Sequence, residues 1–196
     1  MSKPKLLYLS QTLPYPPDGG AAIRAYNMLR LLARDYDVTA LCFYRKATTP
    51  DLAGSLAVLR TITAAVEAYP IEQEHDRMRL LLDHVRSVLT ARAYTVYAYE
   101  NAAFRESLGA HVRRERFSVA HVESLDLAAY LPVMVGIPVV LGHQNVESAL
   151  LRRRGAQESR WLRKRYLLVQ ARLTEREERE WSPRVALNVT VSDGDA

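Results

Sequence analysis

The chain has 196 residues, of which 48% are hydrophobic and 25% are charged, and its net charge is +5 at pH 7. These values are typical of one globular domain. No apolar run approaches the roughly 18 residues that a membrane span needs, and the amino terminus lacks the apolar region of a signal peptide. The single cysteine, Cys42, excludes an internal disulfide and fits a reducing compartment, so we expect a cytoplasmic protein.

Short apolar runs separated by helix-length segments predict alternating strands and helices. The predicted strands are residues 6–9, 38–43, 66–71, 117–122, 137–142 and 186–191. The helix-length gap between the first two strands implies a right-handed βαβ unit with a parallel sheet. The predicted fold class is therefore α/β, a Rossmann-like, doubly wound, mostly parallel sheet with helices on both faces.

Helical periodicity fills most of the segments between these strands. The predicted helices are residues 22–33, 48–65, 78–90, 102–115, 127–131 and 146–180. We expect a break near Gly155, since the last of these would otherwise be about 50 Å long. Residues 94–99 contain Tyr94, Tyr97 and Tyr99 and are predicted to be a strand fragment. The helix at 78–90 has an apolar stripe that is predicted to face the core. The stripe consists of Leu80, Leu81, Val85 and Leu89.

A loop rich in proline and glycine joins the first strand to the first helix. Pro14, Pro16, Pro17, Gly19 and Gly20 lie within seven residues. The two glycines have no Cβ, so an anionic group can approach the backbone, and the start of a helix favours negative charge. The spacing matches neither G-x-G-x-x-G nor the Walker A loop, which excludes both of those nucleotide motifs. Loops at the carboxyl ends of parallel strands bind ligands, so this loop is either an anion site or a plain turn.

Four segments resemble the amino-terminal domain of glycosyltransferase family 4. They are the D-G-G loop with its helix, S-V-A-H-V-E-S-L-D at 118–126, P-V-V-L-G-H-Q-N-V-E-S at 138–148 and V-T-V-S-D at 189–193. The third is the most specific, although Gly142 and Gln144 replace residues often seen in the family, and Glu123 replaces a histidine. The resemblance implies that residues 1–196 form one half of a GT-B fold, with the second, donor-binding domain absent.

The resemblance also implies a donor site. Gly19 and Gly20 would face the diphosphate of a nucleotide-sugar, and Arg24, one turn further, would reach the same phosphates. For Arg24 the plain alternative is a solvated side chain. The family transfers sugars with retention of configuration and generally without a bound metal, so no metal and no cofactor are expected.

The acceptor residues follow two of the predicted strands. Glu123, with Asp126 nearby, would orient or deprotonate the acceptor hydroxyl, and His143 and Asn145 would line the acceptor pocket. The plain alternatives are a solvated carboxylate at a strand end for Glu123 and helix capping for Asn145.

Basic residues are concentrated in the segment 152–165, where they alternate with apolar ones. The candidates for contact with an anionic membrane surface are Arg152, Arg153, Arg154, Arg163 and Lys164. The alternative is a solvated helix face. Nucleic acid is not an expected partner, because no nucleic-acid-binding motif accompanies the charge.

The sequence as a whole predicts the acceptor-side domain of a retaining glycosyltransferase, which moves a sugar from a nucleotide diphosphate donor to a saccharide or lipid-linked hydroxyl acceptor. A peripheral position on the inner face of the membrane is compatible with the basic segment. Two alternatives stay open. One is a stand-alone α/β module that binds a phosphorylated ligand, and the other is half of a GT-B epimerase acting on a sugar nucleotide.

Overall fold

The computed structural model describes residues 3–190, apart from the side chain of His75. Within these residues, six strands form one parallel sheet. The strands are Lys5–Ser10 (β1), Asp37–Tyr44 (β2), Ala65–Pro70 (β3), Val119–Val122 (β4), Val139–His143 (β5) and Leu187–Thr190 (β6). Their order in the sheet is β3-β2-β1-β4-β5-β6. The predicted strands are confirmed, except that the last residue of the final one lies outside the described part of the chain.

Helices cover both faces of the sheet, as predicted for a Rossmann-like doubly wound fold. The α-helices are Gly20–Asp35 (α1), Leu52–Arg60 (α2), Arg77–Thr90 (α3), Tyr94–Ala98 (α4), Ala102–Arg114 (α5), Glu147–Gln157 (α6) and Trp161–Trp181 (α7). Short 3₁₀ segments are Glu72–His75, Leu125–Met134 and Ser182–Arg184.

Each face of the sheet has its own hydrophobic layer, because side chains of one strand alternate between the faces. Leu6 and Tyr8 pack with Leu29 of α1 and Leu59 of α2 on one face. On the other face, the strands pack against α5, the 3₁₀ segment after β4 and the end of α7. That second layer contains Leu7, Leu9, Leu41, Phe43, Phe104, Leu108, Tyr130 and Trp181. Cys42 is buried in the first layer as a free thiol.

Two predicted elements differ from the structure. The second helix is shorter than predicted at both ends. It begins at Leu52, where Asp51 accepts a hydrogen bond from the Gly54 N–H at 2.8 Å, and it ends at Arg60, ahead of β3 at Ala65. The tyrosine-rich segment 94–99 is helical rather than extended. Its start is fixed by Gln170, whose amide oxygen accepts from the Tyr94 N–H at 2.9 Å. The break predicted near Gly155 is confirmed, since α6 ends at Gln157 and α7 starts at Trp161.

The predicted packing of α3 is wrong. The helix buries Asp83 and Ser87, whereas Leu81, Val85 and Leu89 are exposed. The polar side has partners on distant segments: Ser87 accepts from Gln170 of α7 at 2.8 Å, and Asp83 accepts from Gln73. Hydrogen bonds to α7 and to the 3₁₀ segment therefore turn the apolar stripe outward.

A bidentate ion pair also fastens the segment between α3 and α4 to α7. Arg92 donates from Nε and Nη2 to the two carboxylate oxygens of Glu177, at 2.5 and 2.8 Å. Glu177 is buried and also accepts from the Trp181 indole at 3.1 Å. This buried carboxylate accepts three hydrogen bonds. The free-energy cost of removing it from water is offset only while all three donors are bound to it.

We predict that Arg92→Met destabilises the protein by about 2 kcal/mol or more, because it leaves Glu177 buried without its cation. The free energy of unfolding from urea titration measures this loss. Arg179→Met is the matched control, since Arg179 is 79% exposed and pairs with Glu175 on the surface. The control should change stability by less than about 0.5 kcal/mol. Equal losses in the two variants would show that the Glu177 contacts carry no special weight.

Candidate functional site

The candidate site lies where the sheet changes its winding direction. β1 pairs with β2 on one side and with β4 on the other, so the connections after β1 and β4 diverge onto opposite faces. Such a switch point leaves a crevice at the carboxyl ends of the strands, where ligands bind in open α/β sheets. The loop with Gly19 follows β1, and Glu123 follows β4 directly, donating its N–H to the Leu9 carbonyl at 2.9 Å.

The start of α1 is open at this crevice. Gly19 has an extended backbone at the N-cap position, no side chain caps the helix, and its first turn has no acidic residue. Both glycines are exposed, and a Cβ built on Gly19 or Gly20 would meet no atom within 4 Å. Packing therefore does not explain the two glycines, and the first-turn N–H groups are accessible to an anion.

Arg24 crosses from α1 to the ends of β4 and β5. Its Nε lies 3.6 Å from Glu123 Oε2, and its Nη1 donates to the His143 carbonyl at 3.3 Å. Gly142 makes room for this side chain, because a Cβ there would lie 3.3 Å from Arg24 Nη2. A side chain at position 142 would crowd the guanidinium of Arg24. Arg24 is therefore not a freely solvated side chain, and its guanidinium already has partners within the protein.

Glu123 is a buried carboxylate rather than an exposed one. Its side chain is 1% exposed and accepts from His121 Nε2 at 2.9 Å, taking His121 as the donor tautomer. The His121 ring stacks on Tyr8 with centroids 5.5 Å apart. Burial and the nearby Glu123 raise the pKa of the Tyr8 hydroxyl well above its usual value. Glu123 therefore holds Arg24 and His121 beneath α1, and its contact with an acceptor hydroxyl stays a prediction.

Asp126 lies on the other side of the sheet from Glu123. It lines a cavity of about 350 Å³ together with residues that follow β2 and β3 and with α4. The polar lining residues are Arg45, Gln73, Glu74, Tyr94, Thr95, Tyr99 and Asp126, and the apolar ones are Ile71, Leu80 and Ala98. The structure does not bring the two predicted catalytic carboxylates together, since Glu123 faces α1 and Asp126 faces this cavity.

The surroundings of Asp126 suit proton transfer near neutral pH. Burial is the main cause that raises its pKa to about 6, and the negative charge of Glu147 adds to the increase. Hydrogen bonds with Thr95 and Ser124 act in the opposite direction. A carboxyl group with a pKa close to the operating pH is able both to accept and to return a proton.

The opposite wall of the cavity carries hydrogen-bonding groups that sequence analysis missed. Arg45 donates to Glu74 Oε1 at 2.7 Å, and Glu74 Oε2 is buried without a hydrogen-bond partner among the described residues. The Tyr94 hydroxyl donates to the Gln73 amide oxygen. One signal in the sequence was usable: Arg45 and Glu74 follow the predicted strands at 38–43 and 66–71, whose carboxyl ends share this edge.

The two predicted acceptor residues have different surroundings. The His143 ring is turned toward β6, where Nε2 lies 2.9 Å from the Asn188 amide oxygen. Asn145 donates to Glu147 Oε1 at 3.4 Å, which places it beside the group that shifts the pKa of Asp126. Asn145 does not cap α6, whose N-cap is Val146. Asn145 is therefore closer to the cavity chemistry than the His143 ring is.

Within the described part of the chain, no group of three or more His, Cys, Asp or Glu side chains is arranged to hold a metal ion. Over the same residues, no helix is both long enough and apolar enough to cross a bilayer.

We predict that Asp126→Asn stabilises the protein at pH 8 by up to about 3 kcal/mol and has little effect below pH 4. The pKa of Asp126 is raised in the folded state, so the folded protein binds the proton more tightly than the unfolded chain does. Its contribution to stability is full below the unfolded pKa of about 4 and is lost as the pH rises through about 6. Urea unfolding of both proteins between pH 4 and 8 measures the difference. A constant difference over this range would contradict the shift.

Comparison with known proteins assigns this chain to no family. A scan of protein-family models, a search of curated proteins and a search of solved structures each found no match.

Proposed function

We propose that the chain is the acceptor-side domain of a retaining glycosyltransferase with a GT-B architecture. The supporting observation is the presence of two sites at the carboxyl edge of one sheet: the open, uncapped start of α1 after β1, and a polar cavity whose lining includes Asp126 after β4. A diphosphate suits the first, since free N–H groups and the helix dipole favour negative charge. A hydroxyl-rich acceptor suits the second, since tyrosine, threonine, amide and carboxyl groups line it.

In this proposal, the acceptor hydroxyl attacks the anomeric carbon of the donor sugar on the same face from which the diphosphate leaves, as retention of configuration in one step requires. A glycosidic bond forms, the bond from that carbon to the diphosphate oxygen breaks, and the diphosphate leaves with the electron pair. The proton of the hydroxyl passes to the Asp126 carboxylate. The N–H groups at Gly19 and Gly20 stabilise the charge that develops on the departing diphosphate.

Arg24 and Glu123 have a positioning role in this scheme. Arg24 is held by Glu123 and by the His143 carbonyl, so its guanidinium adds positive charge beneath the diphosphate site without being free to follow the ligand. The resemblance to family 4 implies that a second α/β domain grips the nucleotide and sugar of the donor.

The proposal predicts weak binding of UDP and GDP to the 196-residue chain, with dissociation constants in the millimolar range. A few backbone contacts open to water leave little net free energy after the ligand is immobilised. Amide shifts in an NMR titration should move at residues 19–24 and change little elsewhere. Micromolar binding would favour the stand-alone phosphate-binding module, and unperturbed amides at Gly19 and Gly20 would contradict the donor site.

Gly20→Val supplies a steric control for this titration. The added side chain fits the protein, since nothing lies within 4 Å of a Cβ at Gly20, but it covers the approach to the N–H groups. Ala102→Val, at the first residue of α5, is the matched variant, because the α5 terminus is already capped by Asn101. Only the first variant should abolish the shifts.

In the complete enzyme, with its donor-binding domain, we predict that Asp126→Asn lowers kcat by about 10²-fold or more, because the acceptor proton loses its base. Donor affinity should hardly change. Steady-state transfer to the hydroxyl acceptor measures both quantities, and the pH profile of the wild-type enzyme should show a rise near pH 6.

Glu123→Gln in the same assay separates the two carboxylates. A loss of transfer of roughly 10²-fold is the result only if Glu123 itself acts on the acceptor hydroxyl. A normal kcat for this variant would exclude Glu123 as the base for the acceptor hydroxyl. A normal kcat for Asp126→Asn would overturn the role of the cavity.

A further inference from the structure

The outward side of α3 is an apolar surface without a cover in the described part of the chain. Six residues at helical spacing form this outer face of α3, each between 48% and 80% exposed. They are Met78, Leu81, Leu82, Val85, Val88 and Leu89. A helix whose polar side is buried and whose apolar side is exposed loses the usual gain from burial. The exposure of these apolar side chains on α3 is explained if a bound partner covers them.

The start of α7 extends this surface. Trp161 and Leu162 are 64% and 65% exposed. The two helices run side by side in the same direction, since His84 contacts Tyr166 and Ser87 accepts from Gln170 further along both. One turn back from the first of these pairs, the amino-terminal half of α3 and Leu162 are at corresponding ends of the two helices.

Positive charge borders the apolar surface at the turn between α6 and α7. Residues 152–165, here called the basic tip, contain seven Arg and Lys and one Glu, a net charge of +6 against +5 for the whole chain. The two helices pack closely, with a Cβ on Gly155 falling 3.1 Å from a Leu168 methyl group. Arg152 and Arg163 pair with Glu175 and Glu158. Among the described residues, Arg153, Arg154 and Lys164 form no ion pair.

We propose that the outer face of α3 and the basic tip together form a docking surface for an anionic lipid bilayer. Apolar side chains enter the acyl boundary, Trp161 lies at the headgroup level, and the arginines and lysine bind anionic headgroups. A second copy of the chain fits this surface less well, because a symmetric contact would bring the same excess of positive charge against itself. The roles of the outer face of α3 and of the basic tip do not depend on the proposed function.

The surface also borders the cavity of Asp126. Leu80 is on α3 and lines that cavity, so a bilayer against α3 would lie next to its rim. If the proposed function holds, this proximity selects an acceptor whose hydroxyl is carried on a lipid.

The test is co-sedimentation of the 196-residue chain with vesicles of phosphatidylcholine, with and without phosphatidylglycerol. Binding is expected only with the anionic lipid and should fall steeply as salt is raised. Trp161 supplies a second readout, because the other tryptophan, Trp181, is buried. Its fluorescence should shift to the blue on binding and be quenched by brominated lipid. Equal binding to neutral and anionic vesicles would overturn the proposal.

Two sets of variants separate the apolar and the charged parts. Leu81→Gln with Leu89→Gln should weaken binding about tenfold or more. Arg153→Glu, Arg154→Glu and Lys164→Glu together should weaken it about 100-fold. The matched controls are Leu31→Gln with Val135→Gln, and Lys46→Glu with Arg114→Glu and Arg116→Glu, all at exposed positions elsewhere. Neither control set should change binding.

Circular dichroism should show unchanged helicity in every variant, because all the altered residues are exposed. Unaltered binding of the Leu81, Leu89 variant would overturn insertion of α3. The proposal would also be overturned by a wild-type dimer in light scattering that becomes monomeric in this variant while vesicles are not bound. That result would assign the face to a second copy of the chain.

Discussion

The crevice depends on one buried ion pair. Glu123 follows β4 and has almost no contact with water, and Arg24 reaches it from α1. Because Arg24 also donates to the His143 carbonyl at the end of β5, one guanidinium joins α1, β4 and β5. Replacing a single partner would leave a buried charge uncompensated, which costs far more than the pair itself contributes. This pair, together with the packing of Leu29 on the sheet, sets the position of the open α1 terminus relative to the strand ends.

The groups that line the polar cavity lower the stability of the folded protein. Asp126 is desolvated beside Glu147, and Glu74 keeps one buried carboxylate oxygen without a partner among the described residues. Groups that are unfavourable for stability at neutral pH are typical of sites selected for chemistry or binding. Glu123 Oε2 also has no hydrogen-bond partner among the described residues, but the Arg24 Nε lies 3.6 Å from it and His121 donates to Oε1. Because a cation faces this carboxylate and none in the described part of the chain is paired with Asp126, Glu123 is the better anchor and Asp126 the better proton acceptor.

Sequence predicted the parts of this molecule that local pattern determines. The strands are short apolar runs such as residues 6–9, and the glycines at 19 and 20 mark the start of α1, so the fold and the open helix terminus could be derived. The sequence places Arg45 and Glu74 at one edge of the sheet but does not predict the whole cavity, since Tyr94 and Asp126 come from separate segments with no shared spacing. The packing of α3 was predicted wrongly because its decisive partner, Gln170, is more than 80 residues away along the chain. An apolar stripe shows that a helix has two sides but not which side finds partners.

The inverted packing of α3 has a consequence for its motions. Since few apolar contacts hold α3, it belongs to the part of the fold that opens at low free energy, well below global unfolding. Its inner side is connected to the cavity through Asp83, Gln73 and Tyr94. Covering the outer face would restrict the same helix that borders the cavity. Binding of a bilayer to the outer face and binding of a ligand in the cavity are then thermodynamically linked. Each raises the affinity of the protein for the other by an equal factor, even if no backbone atom changes its mean position.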